Sequence, residues 1–415
     1  MNMLDTPMVQ HSILSDDFRA DPYPTFRWWH AHEKAFRDPD QGYWVVFGYE
    51  QVRDLLRNSS LTVERYDNLP GSPEEQAWDR HIRSLLSVWM LNVDGDRHIT
   101  ARSTLKPLFS NRALADYEQL IREQVESCLD KIGGDGRSVE AYADIAFPLP
   151  ARIVLSIMGL GDLSVEELER VRRFSDVIST YVGSAGRAAG CIKPTYDVLN
   201  EFCDFLKERI DPEKPGFQRT LTARLLEIYG GGATIKNSPD TLSNIILFIV
   251  SGFETTTNLI LNSLLAIGRQ PELEAEIRRD SRLIEDFIDE TLRVYPPVNR
   301  TARKVLDEVI VDGQAIQPGA LVILFLGAAN RDPSVFDDPD VMKIIRPERR
   351  SHPVLSFGFG AHLCIGRLLS IMELRIFYEE MLKRYSSLQI DLDSVRCRDG
   401  SVLKGISQMS FSASV

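Results

Sequence analysis

The chain has 415 residues, with 48 lysines and arginines against 60 aspartates and glutamates, for a net charge of −12. Phosphate recognition needs basic surface, so this balance excludes a protein that coats nucleic acid. Hydrophobic side chains at 43% and charged ones at 26% are the proportions of a folded protein with a large core, not of a disordered chain. Cys128, Cys191, Cys203, Cys364 and Cys397 are odd in number, scattered and without a Cys-x-x-Cys pair. That argues against a disulfide framework or a four-cysteine zinc site and predicts a reducing, cytoplasmic setting. Met1 to Arg19 lacks a basic head followed by an apolar run, so no signal peptide is expected. Uninterrupted apolar stretches such as Ile245–Val250 fall short of the ~20 residues of a membrane span, and no membrane association is expected.

Along the chain, Asp21-Pro22-Tyr23-Pro24 leads into a helix through Trp28 and His32. A hairpin is expected through Tyr43–Phe47 and a helix from about Glu50. From Asp116 to Arg224 the spacing is helical, interrupted at Pro148–Pro150 and at the small-residue run Gly183–Gly190, and helical period continues to Tyr295. Short β runs follow at Val305–Val311 and Leu321–Phe325, then loops, a helix from about Ile365 to Tyr385, and short C-terminal strands. Strands and helices do not alternate, which argues against a doubly wound sheet. One mainly α domain with small β-sheets, spanning 1–415, is predicted.

Three segments break the local rules. A long helix is predicted over Pro239–Ile267, with Ser238 as N-cap, Pro239 at the first helical position, and Gly268 and Pro271 as its end. Its centre, Ser251-Gly252-Phe253-Glu254-Thr255-Thr256-Thr257, carries a glycine that costs ~1 kcal/mol relative to alanine, followed by consecutive β-branched residues. Either the hydroxyls bond back to the preceding turn, or the helix is locally opened beside a ligand. In Glu290-Thr291-Leu292-Arg293, the two charges are three residues apart on a helix. The apolar face of Ile284, Phe287, Ile288, Thr291 and Tyr295 leaves both outside it, so periodicity alone makes them an exposed pair worth well under ~1 kcal/mol. In Ser356-Phe357-Gly358-Phe359-Gly360-Ala361-His362-Leu363-Cys364-Ile365-Gly366-Arg367, glycines open a turn before a helix, where the helix dipole favours a thiolate. The alternative is an inert cysteine. The spacing is not that of a dinucleotide loop.

In this order the three segments resemble the cytochrome P-450 haem-thiolate monooxygenases. Phe357-x-x-Gly360-x-His362-x-Cys364-x-Gly366 matches that family's haem-ligand loop, Glu290-x-x-Arg293 its buried ion pair, and Gly252-x-Glu254-Thr255 the acid–alcohol pair of its long helix. Ala328-Ala329-Asn330-Arg331-Asp332-Pro333 with Phe336 and Asp338-Pro339, the hairpin, and Pro148–Gly159 extend the likeness over essentially the whole chain. Departures are Ser251, Phe253, and Ile345-Arg346-Pro347-Glu348-Arg349, which puts Arg346 where an acid is usual.

The resemblance implies haem b buried between the long central helix and the cysteine loop, with Cys364 as the axial ligand to iron. A thiolate there pushes electron density onto the metal, and Phe357 and Gly358 would shield and tune the sulfur. It implies His98, Arg102, Arg303 and His362 as partners of the haem propionates, with Arg97 and Arg300 solvated. Thr255 would hydrogen-bond dioxygen and Glu254 relay protons to it. Two electrons would come from a ferredoxin or similar donor, since the length leaves no room for a reductase module. A basic patch of Arg97, Lys106, Arg112, Arg346, Arg349, Arg350 and Arg367 is expected to receive that donor. A peroxygenase or oxidative coupling enzyme on the same scaffold remains open, as does a non-catalytic haem sensor. The pocket is expected to draw on Trp78–Met90, Ser184–Cys191, Leu247–Ser251, Val298–Asn299 and Gly405–Ser407, with Trp89 and Ile406 among its lining. Such a lining suits an apolar or aromatic small molecule, free or tethered to a carrier protein; the alternative is that Trp78 and Trp89 are simply core.

Overall fold

The structure is a computed structural model and describes residues 13, 15, 18, 21–39, 41–64, 71–184, 190–397 and 405–415. The first elements are α1 (Tyr23–His32), β1 (Ala35–Arg37), β2 (Trp44–Val46), α2 (Tyr49–Leu56), β3 (Leu61–Thr62), α3 (Pro73–Leu86) and α4 (Gly95–Leu105). Then come α5 (Asn111–Ala115), α6 (Glu118–Leu129), β4 (Val139–Glu140), α7 (Pro148–Ile157), α8 (Val165–Ser184), α9 (Ile192–Arg209), α10 (Leu221–Tyr229) and α11 (Pro239–Arg269). The last are α12 (Glu272–Arg279), α13 (Ile284–Val294), β5 (Arg300–Val305), β6 (Val309–Val311), β7 (Gln314–Ile316), β8 (Leu321–Phe325), α14 (Leu326–Ala329), α15 (Arg367–Arg384), β9 (Ser387–Cys397) and β10 (Ile406–Ser414). The prolines at 148 and 150 begin a helix instead of interrupting one, because the first turn needs no intrahelical N–H donors.

The described residues gather into two compact units. One is drawn from Met1–Arg65, Asp289–Cys364 and Arg398–Gly405; the other from Tyr66–Ile288, Ile365–Cys397 and Ile406–Val415. In the first, a five-stranded sheet has the order β1-β2-β8-β5-β3. Only β2–β8 is parallel, with Val45 opposite Ile323. A separate hairpin joins β6 to β7 through Asp312-Gly313, both with positive φ (50° and 77°), the two-residue turn that matches strand twist. One apolar cluster packs Trp29 on Phe47, rings 4.8 Å apart, with Phe26 and Phe325; another gathers Tyr49, Leu324, Phe336 and Leu355.

The second unit is organised by α11, whose 31 residues extend about 46 Å at 1.5 Å per residue. It packs against α7, α10 and β9, among others, and its length and composition would suit a membrane span. In this fold 83% of its most apolar stretch is buried inside the protein, as in a core helix. Two glycines permit close approach: a Cβ at Gly252 would stand 2.7 Å from Val154 Cγ2, and one at Gly268 2.7 Å from Ile390 Cβ. Gly268 is therefore a contact residue inside the helix, not its terminator, and α11 runs on to Arg269. Ser238 stands at the N-cap without capping; its hydroxyl pairs with Thr241 Oγ1 at 2.6 Å.

Candidate active site

The cysteine loop begins with a single 3₁₀ turn, Leu355–Phe357, closed by Gly358 N–H donating to Leu355 O at 2.8 Å. Gly358 then takes φ 73° and ψ −168°, a region open only to glycine. Gly360, at φ 75°, lies so close to Arg57 that a Cβ would be 3.0 Å from its Cα. These two turns return the chain so that Cys364 N–H donates to Phe357 O at 2.9 Å. The Cys364 side chain is exposed, whereas Cys128 and Cys191 are buried. Phe357 and His362 are partly buried beside it in sequence. Arg303, on β5, is 6% exposed and donates to Thr301 Oγ1 and Ala302 O at 3.1 and 2.8 Å. Arg300 is partly exposed, with its guanidinium 5.7 Å from the Phe325 ring centre.

Behind that loop stands an ion cluster that helical period places on the surface and the structure buries. Glu290 and Arg293 are both 0% exposed. Arg293 Nε and Nη2 donate to Glu290 Oε2 and Oε1 at 2.9 and 2.8 Å, a bidentate pair. Arg293 also donates to Asn330 O, Pro339 O and Val341 O at 3.0, 2.7 and 3.0 Å. Burial lowers the Arg293 pKa, and Glu290 opposes the shift. Arg346 corrects the sequence reading. It is 4% exposed and donates through Nε to Glu290 Oε1 at 2.7 Å, so it is a third member of this cluster and no part of a basic surface. The signal missed was its place beside Pro347, in a segment that must fold back on α13.

In the other unit, α11 is helical throughout its centre, so the helix is not opened there. Ser251 Oγ donates to Leu247 O at 2.6 Å and Thr255 Oγ1 to Ser251 O at 3.0 Å, the back-bonded arrangement. Yet Ser251 is exposed and Thr255 partly so, with Leu247 one turn earlier at 6%. At i, i+4 spacing these three share one stripe, accessible at Ser251 and Thr255 and closed at Leu247, on a helix that is mostly buried. Glu254, beside it, is 7% exposed. On α4, His98 is 4% exposed and Arg102, one turn later, partly exposed.

The remaining pocket residues fall in different surroundings. Trp89 is 3% exposed and its indole N–H donates to Ser243 Oγ at 2.9 Å, so it belongs to the core of its unit. Ile406 is buried at the start of β10. Val298 is partly buried against the Phe336 cluster, and Asn299 O accepts from Gly327 N–H at 3.0 Å. Of the 184–191 loop, residues 185–189 lie outside the described residues. Sequence reasoning also passed over Glu373 on α15, 2% exposed, although it sits four residues from both Leu369 and Phe377 on an apolar stripe.

The residues fit a haem. A Cβ at Gly358 would meet no heavy atom nearer than His362 O at 3.5 Å, so the loop leaves its backbone face open near the exposed thiol. Among the described residues no group of three or more His, Cys, Asp or Glu could hold a metal. A porphyrin already supplies four ligands to its iron, so one cysteine thiolate suffices as the protein's axial ligand. The model of the family described as Cytochrome P-450 matches residues 173–410. This chain belongs to the cytochrome P-450 family. Cytochrome P-450 119 of Sulfolobus acidocaldarius is 32% identical over 86% of this chain and 92% of its own length. The biotin biosynthesis cytochrome P-450 of Bacillus subtilis is 29% identical over 92% and 93%. A crystal structure titled P-450BioI in complex with hexadec-9Z-enoic acid ligated acyl carrier protein superposes with a TM-score of 0.82 at 27% identity, covering 96% of this chain and 100% of that one. The fold is the cytochrome P-450 fold, and the chain is a haem-thiolate oxidoreductase whose cofactor is haem b bound through a cysteine thiolate.

Proposed function

We propose that the chain, acting as one cytoplasmic domain, inserts one atom of dioxygen into an apolar or aromatic small molecule, using two electrons from a ferredoxin-like donor. The balance is RH + O₂ + 2e⁻ + 2H⁺ → ROH + H₂O. Haem bound through Cys364 supplies the iron at which dioxygen is reduced. His98, Arg102, Arg303 and His362 hold its propionates. The observation that carries the reading is the pair Ser251 and Thr255, which presents two accessible hydroxyls on a mostly buried helix next to the carboxyl of Glu254. The Thr255 hydroxyl proton is directed to Ser251 O, which leaves its oxygen lone pairs to accept from the reacting group. Glu254 then replaces the protons consumed. Arg97, Lys106 and Arg112 are exposed and would receive an acidic donor, whereas Arg349 is partly held by Ile344 O.

The test is turnover of candidate metabolites under ¹⁸O₂ with ferredoxin and its reductase, and separately with hydrogen peroxide. Reductase-dependent label in the product is expected. Product formed with peroxide alone would make the chain a peroxygenase. A second reading, that the substrate is an acyl chain on a carrier protein, is supported by likeness to the carrier-bound relative, and is tested by offering the same chain free and carrier-linked.

A further inference from the structure

Asn330 directly follows α14 and is 0% exposed. Its backbone N–H closes that short helix by donating to Leu326 O at 2.9 Å, which leaves the side-chain amide for other partners. A buried amide is costly unless bonded, and both ends of this one reach the start of the cysteine loop. Oδ1 accepts from Leu355 N–H at 2.8 Å, and Nδ2 donates to Ser356 Oγ at 2.8 Å. Chemistry fixes this orientation, because Leu355 N–H can only donate. Ser356 Oγ gives its own proton to Leu292 O at 2.6 Å and is left to accept from the amide.

On its other side, Asn330 O accepts from Arg293 Nη1 at 3.0 Å. One residue thus joins the buried ion cluster to the turn Leu355–Phe357. That turn ends at the Phe357 carbonyl, which accepts from Cys364 N–H at 2.9 Å. Leu355 is 0% exposed in its apolar cluster, and Pro353 O, just before it, accepts from the Tyr49 hydroxyl at 2.7 Å. Apolar packing resists displacement but is non-directional, so by itself it does not set the tilt of the turn. Hydrogen bonds are directional, and two of them from one amide to adjacent residues do set it. Beyond Phe357, Gly358 and Gly360 have no side chains with which to restrain the loop, so its orientation is inherited from the Asn330 side. We infer that Asn330 is a positioning residue for Cys364, acting through Leu355, Ser356 and the Phe357 carbonyl to set the direction of the sulfur. This rests on Cys364 as the iron ligand.

The experiment uses haem-loaded protein and reads hydrogen exchange over residues 355–364, the C–O stretching frequency of the ferrous carbonyl complex, and the urea midpoint. The stretch rises when the axial thiolate pushes less electron density onto iron. In Asn330→Ala, exchange at Leu355 and Cys364 should quicken about fivefold or more. The C–O stretch should move to higher frequency. Ser356→Ala, which keeps the Leu355 bond, should shift the stretch the same way by less, and it decides the matter if Asn330→Ala does not retain haem. Ser263→Ala, which removes a buried hydroxyl bonded to Tyr378 at 2.6 Å, should lower the urea midpoint without moving the stretch. An unchanged stretch in the Asn330 variant, or in the Ser356 variant where that one decides, would overturn the assignment. So would an equal shift in Ser263→Ala. Failure of the ligand reading would show separately, as a red-shifted carbonyl Soret band that persists in Cys364→His.

Discussion

Replacing Glu290 by alanine tests the buried cluster most directly. The carboxylate accepts from Arg293 Nε and Nη2, Arg346 Nε and Lys343 N–H, at 2.9, 2.8, 2.7 and 3.0 Å, with no solvent exposure. Its removal takes the bidentate carboxylate from Arg293, 0% exposed, and leaves Arg346, 1% exposed, only the more distant Glu348 carboxylate at 3.9 Å among the described residues. Breaking one buried pair costs about 3–5 kcal/mol, and here one deletion weakens the charge balance of a second cation as well. The other acceptors of the two guanidinium groups, backbone carbonyls such as Pro339 O and Asp338 O, carry only partial charge. Against a total stability of about 5–15 kcal/mol the upper part of that range is a large fraction. With a urea dependence of roughly 3 kcal/mol per molar, the Soret-monitored midpoint should fall by about 1–1.7 M. Arg346→Met should cost less, because Glu290 and Arg293 remain a neutral bidentate pair. A Glu290→Ala midpoint within about 0.3 M of the parent, or a larger loss in Arg346→Met, would refute the charge argument.

Three further outcomes are expected. Cys364→His should abolish the red-shifted Soret band of the ferrous carbonyl complex; its persistence would mean another ligand. Glu373 is held well above the ordinary carboxyl value of 4.5 by burial, and among the described residues its Oε2 has no hydrogen-bond partner. Above pH 4.5 the unfolded carboxyl ionises while the folded one does not, so the parent loses about 1.4 kcal/mol per pH unit until the raised pKa is reached. Glu373→Gln should therefore gain urea resistance relative to the parent as pH rises above 4.5, and equal pH profiles would contradict this. Gly252→Ala should destabilise by about 1 kcal/mol despite better helix propensity, because its Cβ meets Val154 Cγ2 at 2.7 Å. Adding Val154→Ala should make that alanine neutral or favourable in thermal unfolding, and additive losses would place the clash elsewhere.

What could be read from the sequence was what local chemistry dictates. The beginning of α11 followed from Pro239, and the cysteine turn from its glycines, two of which adopt the positive φ they were read to permit. Glu290 and Arg293 could not be placed from periodicity, because the face they occupy is covered by residues 330–346, remote in sequence. The same non-local contact hid Arg346. Gly268 signalled an end but serves a crossing with Ile390 on β9, which no local pattern reveals. Ser243 and Asn244 left only a two-residue break in an apolar run, and their partners lie about 155 residues earlier.

The hold that Ser243, Asn244 and Asn92 keep on residues 85–92 bears on how this enzyme can change over generations. Four of its bonds run to main-chain groups, Leu85 O, Leu86 O, Val88 O and Met90 N–H, which every non-proline residue possesses. Side chains at 88 and 91 are therefore open to replacement without disturbing the path of the chain, and a library randomised there should yield mostly folded proteins. A one-residue insertion or deletion between Leu86 and Asn92 would instead misalign donors and acceptors together. Variation in this turn is free in composition and constrained in length.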